Sequence, residues 1–102
     1  MDLRQVRKEY ENRGLREDDL VSDPIDQFKI WYSEIEEAGY SEPNAMVLST
    51  VDKNASPSGR NVLLKEVRED GFVFFTNYES KKAKDIKTNK KVSLTFSWNE
   101  LR

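Results

Sequence analysis

The chain has 102 residues, a formal net charge of −2, and charged and hydrophobic residues in near-equal shares of 35% and 36%. That length holds at most one domain with a single modest core, and the charge gives no global basic field for nucleic acid. Cysteine and histidine are both absent, which excludes disulfides, thiolate metal sites, most zinc sites, the commonest general base and the Ser-His and Cys-His nucleophile pairs.

In chain order, residues 2–11 read as a short helix. Leu3, Val6 and Tyr10 fall at i, i+3 and i+7, with Gly14 as its stop. The N-terminus is charged from Asp2 onward and lacks a signal-peptide core, and no apolar run is long enough to span a bilayer. The expected location is the cytoplasm. Residues 14–23 form a polar connector in which Leu15 and Leu20 pin the segment to the core.

Asp23-Pro24 predicts a helix start: Asp is a favoured N-cap, and Pro at the first helical position loses no needed hydrogen bond. Ile25, Phe28, Trp31 or Tyr32, Ile35 and Ala38 then repeat at helical spacing, and Gly39 closes a helix over 23–39. Its aromatic stripe reads as core packing. Ala45–Val51 reads as a strand apolar on both faces, followed by a turn at Asp52-Lys53-Asn54-Ala55.

Arg60-Asn61-Val62-Leu63-Leu64-Lys65 opens a second strand, reaching residue 67. Three consecutive apolar residues suit a strand covered on both faces. Its terminal cations are either solvated strand ends or a clamp on an anion such as a phosphate. Strict alternation sends Arg60 and Lys65 to opposite faces, so reaching one ligand pair requires a twist, a bulge or bent side chains. Glu69-Asp70-Gly71 signals a tight hairpin, and Phe72–Thr76 a third strand.

Residues 80–88 predict a short helix capped by Ser80. Lys81 and Lys82 fall in its first turn, where cations oppose the helix dipole by roughly 0.3–1 kcal/mol each when exposed. Free N–H groups, a hydroxyl and two lysines there make either an anion site or a solvated, lysine-rich helix. Asp85 interrupts the basic run of Lys81, Lys82, Lys84, Lys87, Lys90 and Lys91, and the aromatics form no stacking platform, which argues against nucleic acid. Residues 91–98 predict a fourth strand, with Val92, Leu94, Phe96 and Trp98 on one face. The expected architecture is one α+β domain over 1–102: a helix and connector at 1–22, the helix at 23–39, and antiparallel strands over 45–98 around the helix at 80–88, forming part of a small barrel.

Taken in order, these features resemble the N-terminal half of the pyridoxamine 5′-phosphate oxidase family. The resemblance rests on Arg7-Lys8-Glu9-Tyr10, Gly14-Leu15, Asp19-Leu20, Asp23-Pro24, Phe28 and Trp31. It continues through Pro43-Asn44-Ala45-Met46-Val47, Thr50-Val51-Asp52 and Arg60–Lys65 to Phe74-Phe75-Thr76-Asn77, Ser80-Lys81-Lys82-Ala83 and Val92–Trp98. It implies an FMN-binding split β-barrel with N-terminal helices, incomplete at its C-terminus, working as a homodimer without nucleic acid or membrane. The implied reaction oxidises pyridoxamine or pyridoxine 5′-phosphate to pyridoxal 5′-phosphate, with FMN taking the hydride equivalent and oxygen reoxidising it to release hydrogen peroxide.

The resemblance maps FMN contacts onto Arg60, Asn61, Val62, Leu63, Leu64, Lys65, Phe75, Thr76, Ser80, Lys81 and Lys82. It maps substrate contacts onto Arg7, Lys8, Glu9, Tyr10 and Lys65. It assigns no catalytic acid or base and no metal ligand to this chain. Two positions depart from the commoner family residues: Phe75 where many members have Tyr, and Lys81 where many have Arg. The family's next FMN-contacting glutamine, most substrate-phosphate ligands, and the Arg and His over the flavin belong to a C-terminal half beyond Arg102. Two alternatives accompany this reading: a truncated flavin-binding module without oxidase activity, and a non-enzymatic interaction fragment.

Overall fold

The computed structural model describes residues 1–6 and 14–99. The predicted helix over 2–11 is absent from its first part. Asp2 accepts a hydrogen bond from the Arg4 backbone N–H at 3.0 Å, and the Val6 N–H donates to Leu3 O at 3.0 Å. An aspartate that satisfies a nearby backbone donor competes with helix formation. Residues 7–11 of that prediction lie outside the described residues. The connector is also held differently. Leu15 and Leu20 are both exposed; the tie is polar, from the Val21 N–H to Oε1 of buried Gln27 at 2.8 Å.

Helix α1 spans Pro24–Glu37. Asp23 caps it by accepting from the Ile25 N–H at 2.8 Å, with Pro24 in the first turn. It ends with Gly39 at φ +78, the Gly39 N–H bonding Glu36 O and the Tyr40 N–H bonding Ile35 O. That pair of bonds satisfies carbonyls orphaned by the helix end, and the left-handed residue costs little because it is glycine. Ile35 is fully buried, and Phe28 carries the aromatic stripe. Its ring centroid lies 4.9 Å from Phe72, 5.0 Å from Phe96 and 5.3 Å from Trp98. The Trp98 indole N–H also reaches Pro43 O at 2.9 Å, so the cluster is pinned as well as packed.

Strand β1 (Ala45–Val51) pairs antiparallel with β2 (Pro57–Leu63), Ala45 opposite Leu63 and Val51 opposite Pro57. Asp52 holds the turn between them, accepting from the N–H groups of Asn54 and Ser56; those two bonds depress its carboxyl pKa. The other strands are β3 (Glu66–Arg68), β4 (Gly71–Val73) and, after helix α2 (Lys81–Thr88), β5 (Ser93–Thr95). β5 pairs antiparallel with β1, giving a sheet of order β2-β1-β5, while β3 and β4 form a separate antiparallel hairpin. The described residues thus form two helices with antiparallel sheets, and α2 lies against β1.

Three strand expectations change. The predicted strand over 60–67 is two strands. The Leu64 N–H donates to Asn44 O at 2.8 Å, and the next N–H, of Lys65, donates to Val73 O at 2.8 Å. The backbone changes partner between consecutive residues, from the β1 side to β4, and the Asn44 side-chain amide fixes the junction by donating to Leu64 O. Nor is the Val62-Leu63-Leu64 run buried on both faces: Leu64 is buried and Leu63 is 40% exposed. The strands expected over 72–76 and 91–98 are observed at 71–73 and 93–95, because among the described residues no facing strand continues the ladder beyond them. Met46, Leu48 and Thr50, on one face of β1, are buried; Val47, on the other, is exposed.

Candidate functional site

Of the polar residues singled out above, Thr76, Ser80, Lys81 and Lys82 lie at the start of α2, and Arg60 reaches towards the same helix. Residues 74–79 run as an irregular segment before it, with Asn77 Oδ1 accepting from the Glu79 N–H and Asn77 O from the Ser80 N–H. Ser80 is the N-cap, in extended conformation, its hydroxyl accepting from the Ala83 N–H at 3.2 Å. The Thr76 and Ser80 hydroxyl oxygens lie 3.2 Å apart in a hydrogen bond. Lys81 and Lys82 follow, with no acid in the first turn. Helix geometry leaves the first-turn N–H groups without intrahelical acceptors. Thr76 and Ser80 therefore place their hydroxyls at a positively polarised helix end whose first two residues are lysines.

One turn further on is Asp85, which composition marked only as an interruption in the lysine run. Its side chain is 6% exposed. It accepts from the Thr50 hydroxyl at 2.9 Å and from Lys81 Nζ at 3.1 and 3.2 Å, and Arg60 Nη2 lies 3.8 Å away. Arg60 sits on the inward face of β2, opposite Leu48. Its Nη1 donates to Leu48 O, the Thr50 hydroxyl and Ser58 O at 3.1, 2.7 and 3.3 Å. Arg60 is thus no solvated strand end. Among the described residues, every buried side-chain nitrogen and oxygen has a partner.

Lys65 faces elsewhere. After the partner change it borders a groove with Phe28, Lys29 and Tyr32 of α1, Asn44 and Glu66. The same groove bears on Tyr32, whose hydroxyl pKa is raised by burial first and by nearby Glu36 second. Arg60 and Lys65 share no hydrogen-bond or ion-pair partner among the described residues. The predicted conflict of opposite faces takes a different form, since the strand ends at Leu63 before reaching Lys65. Of the remaining positions, Asn61 and Leu63 are exposed, Val62 is half-buried and Leu64 is buried. Phe75 is 73% exposed, and its neighbour Thr76 is exposed too. Arg7, Lys8, Glu9 and Tyr10 lie outside the described residues.

Sequence reading missed Asp85 and Thr50, the pair that joins Arg60 to α2, and Asn44, the residue that fixes the strand junction. An isolated acid within a basic run was the available signal for the first. The donor set is that of an anion cradle: hydroxyls, ammonium groups and first-turn N–H groups. It suits a phosphate ester. It offers no imidazole or thiol for proton or nucleophile chemistry, and no group of acidic residues among those described could hold a metal ion. No helix among them is long and apolar enough to cross a membrane.

A sequence model of one family, described as pyridoxamine 5′-phosphate oxidase, matches residues 33–102. A relative from Crocosphaera subtropica, named pyridoxine/pyridoxamine 5′-phosphate oxidase, is 52% identical over 98 residues, covering 96% of this chain and 46% of its own. A relative of the same name from Vibrio vulnificus strain YJ016 is 50% identical over 101 residues, covering 99% of this chain and 48% of its own. The chain spans about half the length of these curated relatives. Among solved structures it is similar to PhzG from Burkholderia lata 383, in complex with tetrahydrophenazine-1-carboxylic acid. That match has a TM-score of 0.80 and 27% identity, over 86% of this chain and 45% of PhzG.

Proposed function

The chain belongs to the pyridoxamine 5′-phosphate oxidase family, and from that premise we propose that it supplies the N-terminal, FMN-binding part of an enzyme that oxidises pyridoxamine or pyridoxine 5′-phosphate to pyridoxal 5′-phosphate. The observation that carries this reading is the start of α2, where Thr76, Ser80, Lys81 and Lys82 present donors without a competing first-turn acid. That donor chemistry fits the phosphate of FMN. Family relatives named as oxidases of phosphorylated substrates support the assignment.

In this reading Ser80, Lys81, Lys82 and Thr76 hold the cofactor phosphate. Phe75 and the stretch from Arg60 through Asn61, Val62, Leu63 and Leu64 to Lys65 line the flavin, with Lys65 also offered to the substrate phosphate. Arg7, Lys8, Glu9 and Tyr10 would cover the substrate. Bound FMN would supply the acceptance of a hydride equivalent from the substrate carbon. The chain's own side chains bind and orient; none is assigned a proton to carry. The two sheets are read as parts of one split barrel, supported by the match to PhzG. A homodimer is supported by the exposed sheet face carrying Val47 and Leu63, which a second copy would cover, and a cytoplasmic setting is proposed with it.

The test is a titration of the purified chain with FMN and with riboflavin, which lacks the phosphate. Lys82→Ala is expected to weaken FMN by about 10- to 100-fold, the worth of one charge-assisted hydrogen bond. Riboflavin should change by less than about threefold, since its site is untouched. Equal losses for both flavins would point to damaged folding, and a chain that takes up neither flavin would sink the reading.

A further inference from the structure

We propose that Asp85 is a specificity-determining residue of this phosphate site: it competes with the phosphate for Lys81 and so limits how tightly the site takes a dianion. The inference rests on the functional reading above and adds a residue that the family resemblance does not assign. Its basis is a conflict of local and tertiary electrostatics. On a helix, a cation four residues before an anion is the less favourable order of an ion pair, so the helix itself gives Lys81 little reason to turn towards Asp85. Burial supplies the reason. A carboxylate only 6% exposed needs positive neighbours and hydrogen-bond donors. It has the Thr50 hydroxyl, Lys81 Nζ and, at 3.8 Å, Arg60.

The consequence falls on the cations. Lys81 is the first residue of α2, beside the cap, and its side chain is 59% exposed. It has the reach to serve a phosphate at Ser80, yet its ammonium is directed at both oxygens of Asp85. Arg60 is committed to the same carboxylate and to Leu48, Thr50 and Ser58. Lys82 makes no ion pair among the described residues. The site therefore offers an incoming dianion one uncommitted ammonium and one shared with a negative charge a turn away. Asp85→Asn keeps the side chain's shape and an acceptor for the Thr50 hydroxyl while removing that charge. Arg60 retains its three neutral acceptors in that variant.

The experiment measures FMN and riboflavin affinity by flavin fluorescence for the unaltered chain, Asp85→Asn, Lys81→Gln and the double variant. Asp85→Asn is expected to tighten FMN about 3- to 10-fold and to leave riboflavin within about twofold. Lys81→Gln should cost less than about threefold in the unaltered background and about tenfold or more beside Asp85→Asn, a non-additivity that measures the competition. A weakened or unchanged FMN affinity in Asp85→Asn would overturn the role, as would equal losses from Lys81→Gln in both backgrounds. Should Asp85→Asn fail to fold, Lys81→Gln alone decides, because its side chain is largely exposed: an FMN loss as large as that of Lys82→Ala rules the competition out. The Lys81 ammonium NMR signal of the flavin-free chain reads the contact independently, and is expected to broaden or vanish in Asp85→Asn; an unchanged signal counts against the inference. FMN binding without tightening defeats the role of Asp85 alone. No FMN binding by any variant, with the Lys81 contact intact, defeats the functional reading and this role with it.

Discussion

The two helices begin in opposite ways. At the start of α1, Asp23 caps, Pro24 follows and Asp26 adds negative charge to the first turn, all in accord with the helix dipole. At the start of α2, Ser80 caps, but Lys81 and Lys82 occupy the first turn against the dipole. The interiors differ in the same sense. α1 buries Ile35 and packs Phe28 into an aromatic cluster, whereas α2 buries Ala83 and a carboxylate. One helix is arranged for its own stability, and the other tolerates a local electrostatic cost that an anion would relieve.

The difference can be broken most forcefully at Ile35. This side chain is fully buried, and Ile35→Ala should cost about 2–5 kcal/mol of unfolding free energy through lost transfer energy and a cavity. In urea melts that loss should appear as a lower midpoint. Among molecules still folded, the ratio of FMN to riboflavin affinity should hold, because α1 contributes no donor to the proposed phosphate cradle. A changed ratio would mean that the helices are not separable in role.

The caps give a smaller, matched comparison. Asp23→Ala and Ser80→Ala each remove a side-chain acceptor from a first-turn N–H, and each should cost about 1 kcal/mol of stability. Only Ser80→Ala should also weaken FMN relative to riboflavin, because its hydroxyl serves the cap and the proposed cradle together. If both variants leave the flavin ratio alone, Ser80 is a cap and nothing more.

The two helices were legible in sequence because their boundary signals are local: Asp23-Pro24 and Gly39 for one, Ser80 for the other. The junction at Leu64–Lys65 was not. Val62-Leu63-Leu64 reads as a continuous strand, and what divides it is the competition between Asn44 O and Val73 O for successive N–H groups, a tertiary choice that no window around residue 64 contains. Arg60 was ambiguous for the same reason. Its partners include Leu48 and Thr50 across the ladder and Asp85 on α2, so counting nearby charges could not separate a solvated cation from a committed one. Leu15 and Leu20 misled in the other direction, since apolar side chains on a polar connector were given a core to reach, while a backbone N–H and Gln27 supplied the attachment. For the site, the cluster of Ser80, Lys81 and Lys82 was visible as residue types; the carboxylate that shares one of its cations was visible only as an interruption.

The smallest expected effect on stability tests the comparison most directly. Lys82→Glu replaces a first-turn cation with the charge the dipole favours, which should raise the stability of the chain by about 0.3–1 kcal/mol. The same change puts a carboxylate where the phosphate is proposed to bind. Stability and FMN affinity should therefore move in opposite directions, with riboflavin following neither strongly. A structural lysine would behave otherwise: if Lys82 were needed to hold α2 in place, the glutamate variant would melt earlier and lose both flavins together. A higher melting midpoint combined with selective loss of FMN would show that the first turn of α2 is kept electrostatically suboptimal for the sake of a ligand, which the first turn of α1 is not.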